Sequence, residues 1–152
     1  MTPSPSTAHL RRATRYEEWL ESRGLRFGFA IEIAGKADRL EHGVRNDTPP
    51  VEIWHRMLPT VAVVELMRER FGPTVITSAF RTAAYNGAVA KSKASQHTEN
   101  CALDFHCATG SPREWRDALA ELRANGVFVG GVGLYAAFVH VDTRGTNADW
   151  VG

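Results

Sequence analysis

Two short segments, residues 95–105 and 138–142, constrain this chain more than anything else in it, because each leads into a strand-like run in which polar side chains alternate with apolar ones. Successive side chains of an extended strand point to opposite faces. Across residues 101–107, Ala102, Asp104 and His106 therefore share one face, and Cys101, Leu103, Phe105 and Cys107 share the other. In the second segment His140 and Asp142 project together, opposite Val139 and Val141. If the segments are neighbouring strands with their apolar faces in one core, Asp104 and His140 meet at a common cleft. His97, on the loop before the first strand, then completes a triangle. Two imidazoles and one carboxylate leave a fourth tetrahedral position for water, the pattern of a catalytic rather than a structural zinc. Taken singly, His97 reads more simply as a surface histidine and His140 as a satisfied core one. The combination points to Zn2+ and to a hydrolytic enzyme.

The rest of the chain frames these strands. Residues 1–13, with Pro3, Pro5 and several Ser and Thr, read as a flexible leader. A short helix follows from Arg15 to Arg23, with Tyr16, Trp19 and Leu20 on one face and Gly24 as its stop. Leu25 to Ile33 reads as a strand. Pro49-Pro50 opens a helical region containing Ile53, Trp54 and Met57. Pro59 interrupts it, and Thr60 caps a second helix running to about Phe71, before Gly72. The β-branched run Val75 to Ser78 is a strand, Ala83 to Ala90 a helical turn, and Lys91-Ser92-Lys93 a loop. Ser111-Pro112-Arg113-Glu114 combines an N-cap, a proline at the first helical position and a glutamate three after the cap, and the helix ends near Asn125-Gly126. The apolar run Val127-Phe128-Val129 leads to a turn at Gly130 to Gly133, and Phe138 to Asp142 is the last strand. Helices first and antiparallel strands later make an α+β fold, a small antiparallel sheet with flanking helices.

Charge and cysteine content exclude several classes. The net charge is +1, and no basic patch is interleaved with aromatics, so no nucleic-acid partner is expected. Arg11, Arg12 and Arg15 read as a solvated helix face. No apolar run approaches the roughly 20 residues of a membrane span, and residues 1–15 lack the hydrophobic stretch of a secretory signal. Cys101 and Cys107 would lie roughly 20 Å apart on one strand, beyond the reach of a disulfide. They read as free thiols of a chain made in a reducing compartment.

Further motifs surround the triangle. Ser78-Ala79-Phe80-Arg81-Thr82-Ala83-Ala84-Tyr85-Asn86 fits Ser-x-x-Arg-x-x-x-Tyr-Asn, and Ser95, His97, Ala102 and Asp104 fit Ser-x-His-x-x-Gly-x-Ala-x-Asp. His140 and Asp142 fit the later His-x-Asp, preceded by Gly130-Gly131-Val132-Gly133-Leu134-Tyr135, and Pro49 to Trp54 matches a Pro-Pro-x-x-x-Trp opening. Together, over about residues 47–150, these motifs make the chain resemble the M15 zinc D,D-carboxypeptidases and related peptidoglycan peptidases, which share a fold with the hedgehog signalling domain. The resemblance implies a zinc peptidase-like domain over residues 46–152, with residues 1–45 as an N-terminal extension. It assigns the metal to His97, Asp104 and His140, and gives Arg81 the substrate carboxylate or the scissile carbonyl. Ser95 either lies beside the substrate or caps the turn before His97. The implied substrate is a peptide stem or crosslink of bacterial cell wall containing D-amino acids. Without a signal sequence, such a protein would be made in the cytoplasm and reach the wall after lysis, on a phage virion or tail, or by non-classical export.

The chain also departs from this pattern. Many relatives carry Glu three residues before the last ligand, and some carry His five before it. Here those positions are Ala137 and Tyr135. Asp142 is the first candidate for a general base, or else a partner that orients a ligand. His106 is a second candidate, and Tyr135 can face the substrate or an oxyanion. Asn100 stands where relatives have Gly. If the backbone there has positive φ, Asn is the next most tolerated residue. The alternative function is a catalytically inactive metal-binding module with a structural or wall-binding role in a phage tail or similar assembly.

Overall fold

The computed structural model describes residues 3–90 and 94–152. Residues 1–2 of the expected leader, and the expected loop Lys91-Ser92-Lys93, lie outside the described residues. Helix α1 spans Thr7–Ser22, so residues 7–13 of the expected flexible leader are helical instead. Its start is set by Ser6, whose side chain accepts a hydrogen bond from the His9 amide and satisfies one of the unpaired amides of the first turn. Helix α2, Phe29–Gly35, replaces the strand expected over Leu25 to Ile33. Its four buried residues, Phe29, Ala30, Ile33 and Ala34, recur at the i, i+1, i+4, i+5 spacing of one helix face rather than at every second position.

A two-stranded hairpin, β1 (Leu40–Glu41) and β2 (Val44–Arg45), precedes a 3-10 turn at Val51–Arg56. Helix α3 runs from Met57–Phe71 without a break at Pro59. That proline lies in the first turn, where the helix amides have no internal partner to lose. Thr60 is accordingly not a cap. Its buried hydroxyl donates to the Cys101 carbonyl at 2.8 Å. Strand β3 is Thr74–Ser78, helix α4 Ala83–Val89, β4 Ala102–Cys107, and α5 Pro112–Ala124, capped by Ser111 as expected. Three strands complete the chain: β5 (Gly131–Leu134), β6 (Val139–Asp142) and β7 (Ala148–Val151). Two of them depart from the sequence reading. Gly131 and Gly133, expected in a turn, lie in β5 instead, and β7 has no counterpart in the sequence reading.

The larger sheet has the order β3-β4-β6-β5-β7, antiparallel except for the parallel pair β5 and β7, so the class is α+β. Its apolar face carries Ile76, Leu103, Phe105, Val132, Val139 and Val141, all essentially inaccessible. They pack in one cluster with Val61, Val64 and Met67 of α3 and with Trp115 and Leu119 of α5. Burying each of these larger side chains is worth about 1.5–3 kcal/mol. Tyr16 and Leu20 of α1 and Phe29 and Ile33 of α2 belong to the same cluster, so the N-terminal helices share the core of the sheet. Arg12 anchors α1 further, donating to both carboxylate oxygens of Asp47. Among the described residues, no helix is long and apolar enough to cross a membrane.

Candidate metal centre

The pairing of β4 with β6 sets Asp104 directly opposite His140. With Leu103, Phe105, Val139 and Val141 committed to the core, the face opposite them carries Asp104 and His140 together. His97 arrives from a different kind of element. Ser95 accepts the His97 amide at 3.2 Å and opens the 3-10 turn Gln96–Glu99. Asn100 ends the turn in the left-handed region, at φ 59°, and redirects the chain into β4. Its amide group also donates to the Ile53 carbonyl at 2.9 Å and lies 3.4 Å from the Tyr16 hydroxyl. A glycine could supply the backbone angle but neither of these ties.

Each histidine is held by the nitrogen that faces away from Asp104. His97 Nδ1 lies 2.7 Å from the Ala79 carbonyl, which can only accept, so Nδ1 carries the proton and Nε2 presents its lone pair. That Nε2 is 3.2 Å from Asp104 Oδ2. In His140 the roles are exchanged. Nε2 donates to Asp142 Oδ2 at 2.8 Å, and Nδ1 lies 2.8 Å from Asp104 Oδ1. The ligand atoms of His97, Asp104 and His140 all fall within 4.8 Å of one another, and all three residues are buried. Two imidazole nitrogens and one carboxylate oxygen suit a divalent first-row metal, and their spacing lets all three reach one ion. Outer partners that fix the ring orientation are the usual company of metal-bound histidines.

The electrostatics agree with this arrangement. Burial pushes the Asp104 carboxyl up, but the adjacent His97 and His140 outweigh it and hold the group well below the usual carboxylate range. Burial lowers His97, and Asp104 opposes it only in part. Burial also lowers His140, yet its hydrogen bonds to Asp104 and Asp142 prevail and raise it. Cys101 is kept out of the centre: burial, aided by Asp142, pushes its thiol up to about 11, so it is not a thiolate at neutral pH. Both cysteines are free and buried.

Asp142 is fully buried behind His140. Its Oδ1 accepts from the Gly131 amide, the Arg144 amide and Arg144 Nε, and its Oδ2 from Arg144 Nη2 as well as His140. Burial alone would raise this carboxyl, but the bonds from Arg144 and His140 hold it well below the usual range. Close approach explains the glycines of β5. A Cβ at Gly131 would lie 2.4 Å from Asp142 Oδ2, and one at Gly133 would lie 2.6 Å from the Trp150 ring.

A cleft of about 650 Å3 opens over the centre, and Arg81, Ser95, His97, Asp104, Tyr135 and His140 all line it. Arg81 Nη2 lies 3.7 Å from Asp104 Oδ2, while Nε donates to Ser78 and Nη1 to Asn86. Tyr135 stacks on Phe138 at the rim, with ring centroids 4.4 Å apart, and its hydroxyl accepts from Trp150 Nε1. His106 sits elsewhere, paired with Val75 in the sheet and absent from the cleft lining. Ala137 is exposed. Arg144, which grips Asp142, is not among the residues singled out from the sequence, whereas Trp150, which reads from the sequence as a core or cleft-wall tryptophan, lines the cleft with its ring 4.9 Å from that of His140. Arg144 was visible as the next residue on the alternation of His140 and Asp142. The strand that carries Trp150, β7, had no such signal.

A family model described as Peptidase M15 matches residues 28–142, more than half of the chain. The match starts upstream of residue 47, so it takes in α2 and the β1–β2 hairpin as well as the motifs around the metal centre. Comparisons with curated proteins and with solved structures gave no significant match.

Proposed function

We propose that this chain, which belongs to the Peptidase M15 family, is a zinc-dependent peptidase that hydrolyses D-amino-acid-containing peptide stems or crosslinks of bacterial peptidoglycan. The observation that carries the reading is the opposed pinning of the two histidines, His97 by the Ala79 carbonyl and His140 by Asp142, which turns one ring nitrogen of each toward Asp104. Zinc, when bound by these three residues, supplies a Lewis acid that polarises the scissile carbonyl and acidifies water. Arg81 holds the substrate carboxylate or the scissile carbonyl, for its guanidinium remains charged and donates in a fixed fork. Ser95 contributes chiefly as the cap of the turn that carries His97. Tyr135 lines the cleft as a substrate contact, with its hydroxyl oriented by Trp150. We assign Asp142 to orienting His140 rather than to taking a proton from water, because it is fully buried and both oxygens are already engaged. The peptidase-like part takes in residues 28–45 as well as 46–152, and α1 braces it through Tyr16 and Leu20.

One observation favours the second reading, a metal-binding module without turnover in a phage tail or wall-associated assembly. Among the described residues, Asp104 is the only side-chain carboxylate lining the cleft. Mass spectrometry of purified peptidoglycan, incubated with zinc-loaded protein and with a chelated control, separates the two. The peptidase reading expects chelator-sensitive loss of terminal D-Ala or of crosslinked dimers. Unchanged muropeptides with zinc bound would support the module instead.

A further inference from the structure

Part of the lining of the metal cleft is an aromatic pair joined by a hydrogen bond, Tyr135 and Trp150. Strand β7 runs parallel to β5 and sets Trp150 opposite Gly133 and Ala148 opposite Gly131. Neither glycine leaves room for a side chain beside the indole. A Cβ at Gly133 would lie 2.6 Å from Trp150 Nε1, and one at Gly131 would lie 2.9 Å from Cζ3. The indole therefore rests on the β5 backbone, with the His140 ring 4.9 Å away and the Arg144 guanidinium 5.4 Å away. Tyr135 is held as firmly. Its ring stacks on Phe138 at an interplanar angle of 7°, and a Cβ at Gly152 would overlap it.

The bond between them fixes the sense in which Tyr135 can act. An indole N–H only donates, whereas a phenol hydroxyl both donates and accepts. Trp150 Nε1 donates to the Tyr135 oxygen at 2.9 Å, so the hydroxyl proton must point away from Nε1. Among the described residues this proton meets no acceptor, since the Tyr135 hydroxyl has no hydrogen bond besides the one from Trp150. Other donors of the cleft are already engaged: Arg81 Nε with Ser78, Arg81 Nη1 with Asn86, and Arg144 with Asp142. A hydroxyl that accepts one hydrogen bond is polarised into a stronger donor of the next.

We infer that Tyr135 donates to the carbonyl oxygen of the bond being cut as negative charge builds on it, and that Trp150 is the positioning residue that keeps the hydroxyl a one-way donor. The inference rests on the peptidase reading above. Trp150 lies outside residues 28–142, the segment that matches the family model, and is placed by β7 alone. The indole neighbours His140 on one side and binds Tyr135 on another, so the hydroxyl stands an indole's width from a metal-centre ring. A fixed donor contributes most where the charge on its acceptor grows during the reaction. No proton is transferred: the phenol stays protonated throughout and supplies a hydrogen bond only.

The test uses the whole chain with Tyr135→Phe, Trp150→Phe and both together, each of which keeps an aromatic ring in place. In nitrogen-15 spectra the Trp150 indole proton, identified by its absence from Trp150→Phe, should move upfield in Tyr135→Phe. An unmoved resonance overturns the inference at its first step. With zinc bound, Tyr135→Phe should lower kcat on a stem peptide about 100-fold and leave KM nearly unchanged. Trp150→Phe should give a smaller loss of the same kind. The double variant should be no slower than Tyr135→Phe alone, because the indole acts only through the hydroxyl. A raised KM at constant kcat would reduce Tyr135 to a uniform substrate contact, and additive losses would remove Trp150 as its positioner; either result overturns the inference. A phosphinate analogue of D-Ala-D-Ala, with charged oxygens on a tetrahedral phosphorus, gives a readout that needs no turnover. Calorimetry on zinc-loaded protein should show its affinity falling by a similar factor in Tyr135→Phe, with zinc stoichiometry and circular dichroism unchanged. A wild type that is inert on peptidoglycan yet binds the phosphinate in this Tyr135-dependent way would sink the catalytic reading alone. An active one whose kcat and phosphinate affinity ignore Tyr135 would sink the donor alone.

Discussion

The two histidines of the metal centre are held by different means. His97 stands on a 3-10 turn and is oriented by a backbone carbonyl, that of Ala79. His140 stands in the middle of a sheet and is oriented by a side chain, Asp142, which is itself gripped by Arg144 and the Gly131 amide. The difference determines what substitution can reach. The partner of His97 belongs to the main chain and persists whatever residue stands at position 79. The partner of His140 is one carboxylate, and its removal leaves a buried nitrogen proton without an acceptor.

The largest effect should come from removing a ligand. His97→Ala, Asp104→Ala or His140→Ala should each weaken zinc binding by on the order of 100-fold or more, beyond the range of outer-partner changes. Competition with a chromophoric chelator reads this directly. Equal zinc affinity in any of the three would remove that residue from the centre.

Asp142→Asn breaks only the His140 half. Zinc affinity should fall about 10- to 100-fold, and His140 rather than His97 should show altered ring resonances in nitrogen-15 spectra. Matching changes at both histidines would erase the asymmetry. Arg144→Gln loosens Asp142 without removing it, so a smaller loss is expected, up to about tenfold on the same assay. A loss as large as that of Asp142→Asn would mean that Arg144 acts on the centre by another route.

The smallest effect on the metal belongs to the turn. Asn100→Gly keeps the backbone angle but loses the bond to Ile53 and the contact with Tyr16. Thermal unfolding should report a loss of about 1 kcal/mol, with zinc affinity nearly unchanged. A large drop in affinity would show that His97 depends on more than the Ala79 carbonyl.

The same contrast explains what could be read in the sequence. The strand side of the centre was legible, because alternation places Asp104, His140 and Asp142 opposite residues that must be buried. Asn100 was also legible, since positive φ leaves few residue types. Ala79 was not, because a carbonyl has no sequence signature. The glycines of β5 were misread as a turn because they serve close approach by Asp142 and Trp150 rather than chain reversal. Strand β7 was missed because Ala148–Val151 is short, lies at the sheet edge and alternates between half-buried and exposed positions. Pro59 was overweighted, since a proline in the first turn of a helix costs no internal hydrogen bond.

The most direct test of the metal centre is zinc K-edge X-ray absorption on the loaded protein, alongside the His97→Ala and His140→Ala variants. Two imidazole nitrogens at about 2.0–2.1 Å and carboxylate oxygen at about 2.0–2.2 Å are expected, with one imidazole contribution lost in each variant. Sulfur at about 2.3 Å, or imidazole scattering unchanged by either substitution, would rule out this ligand set.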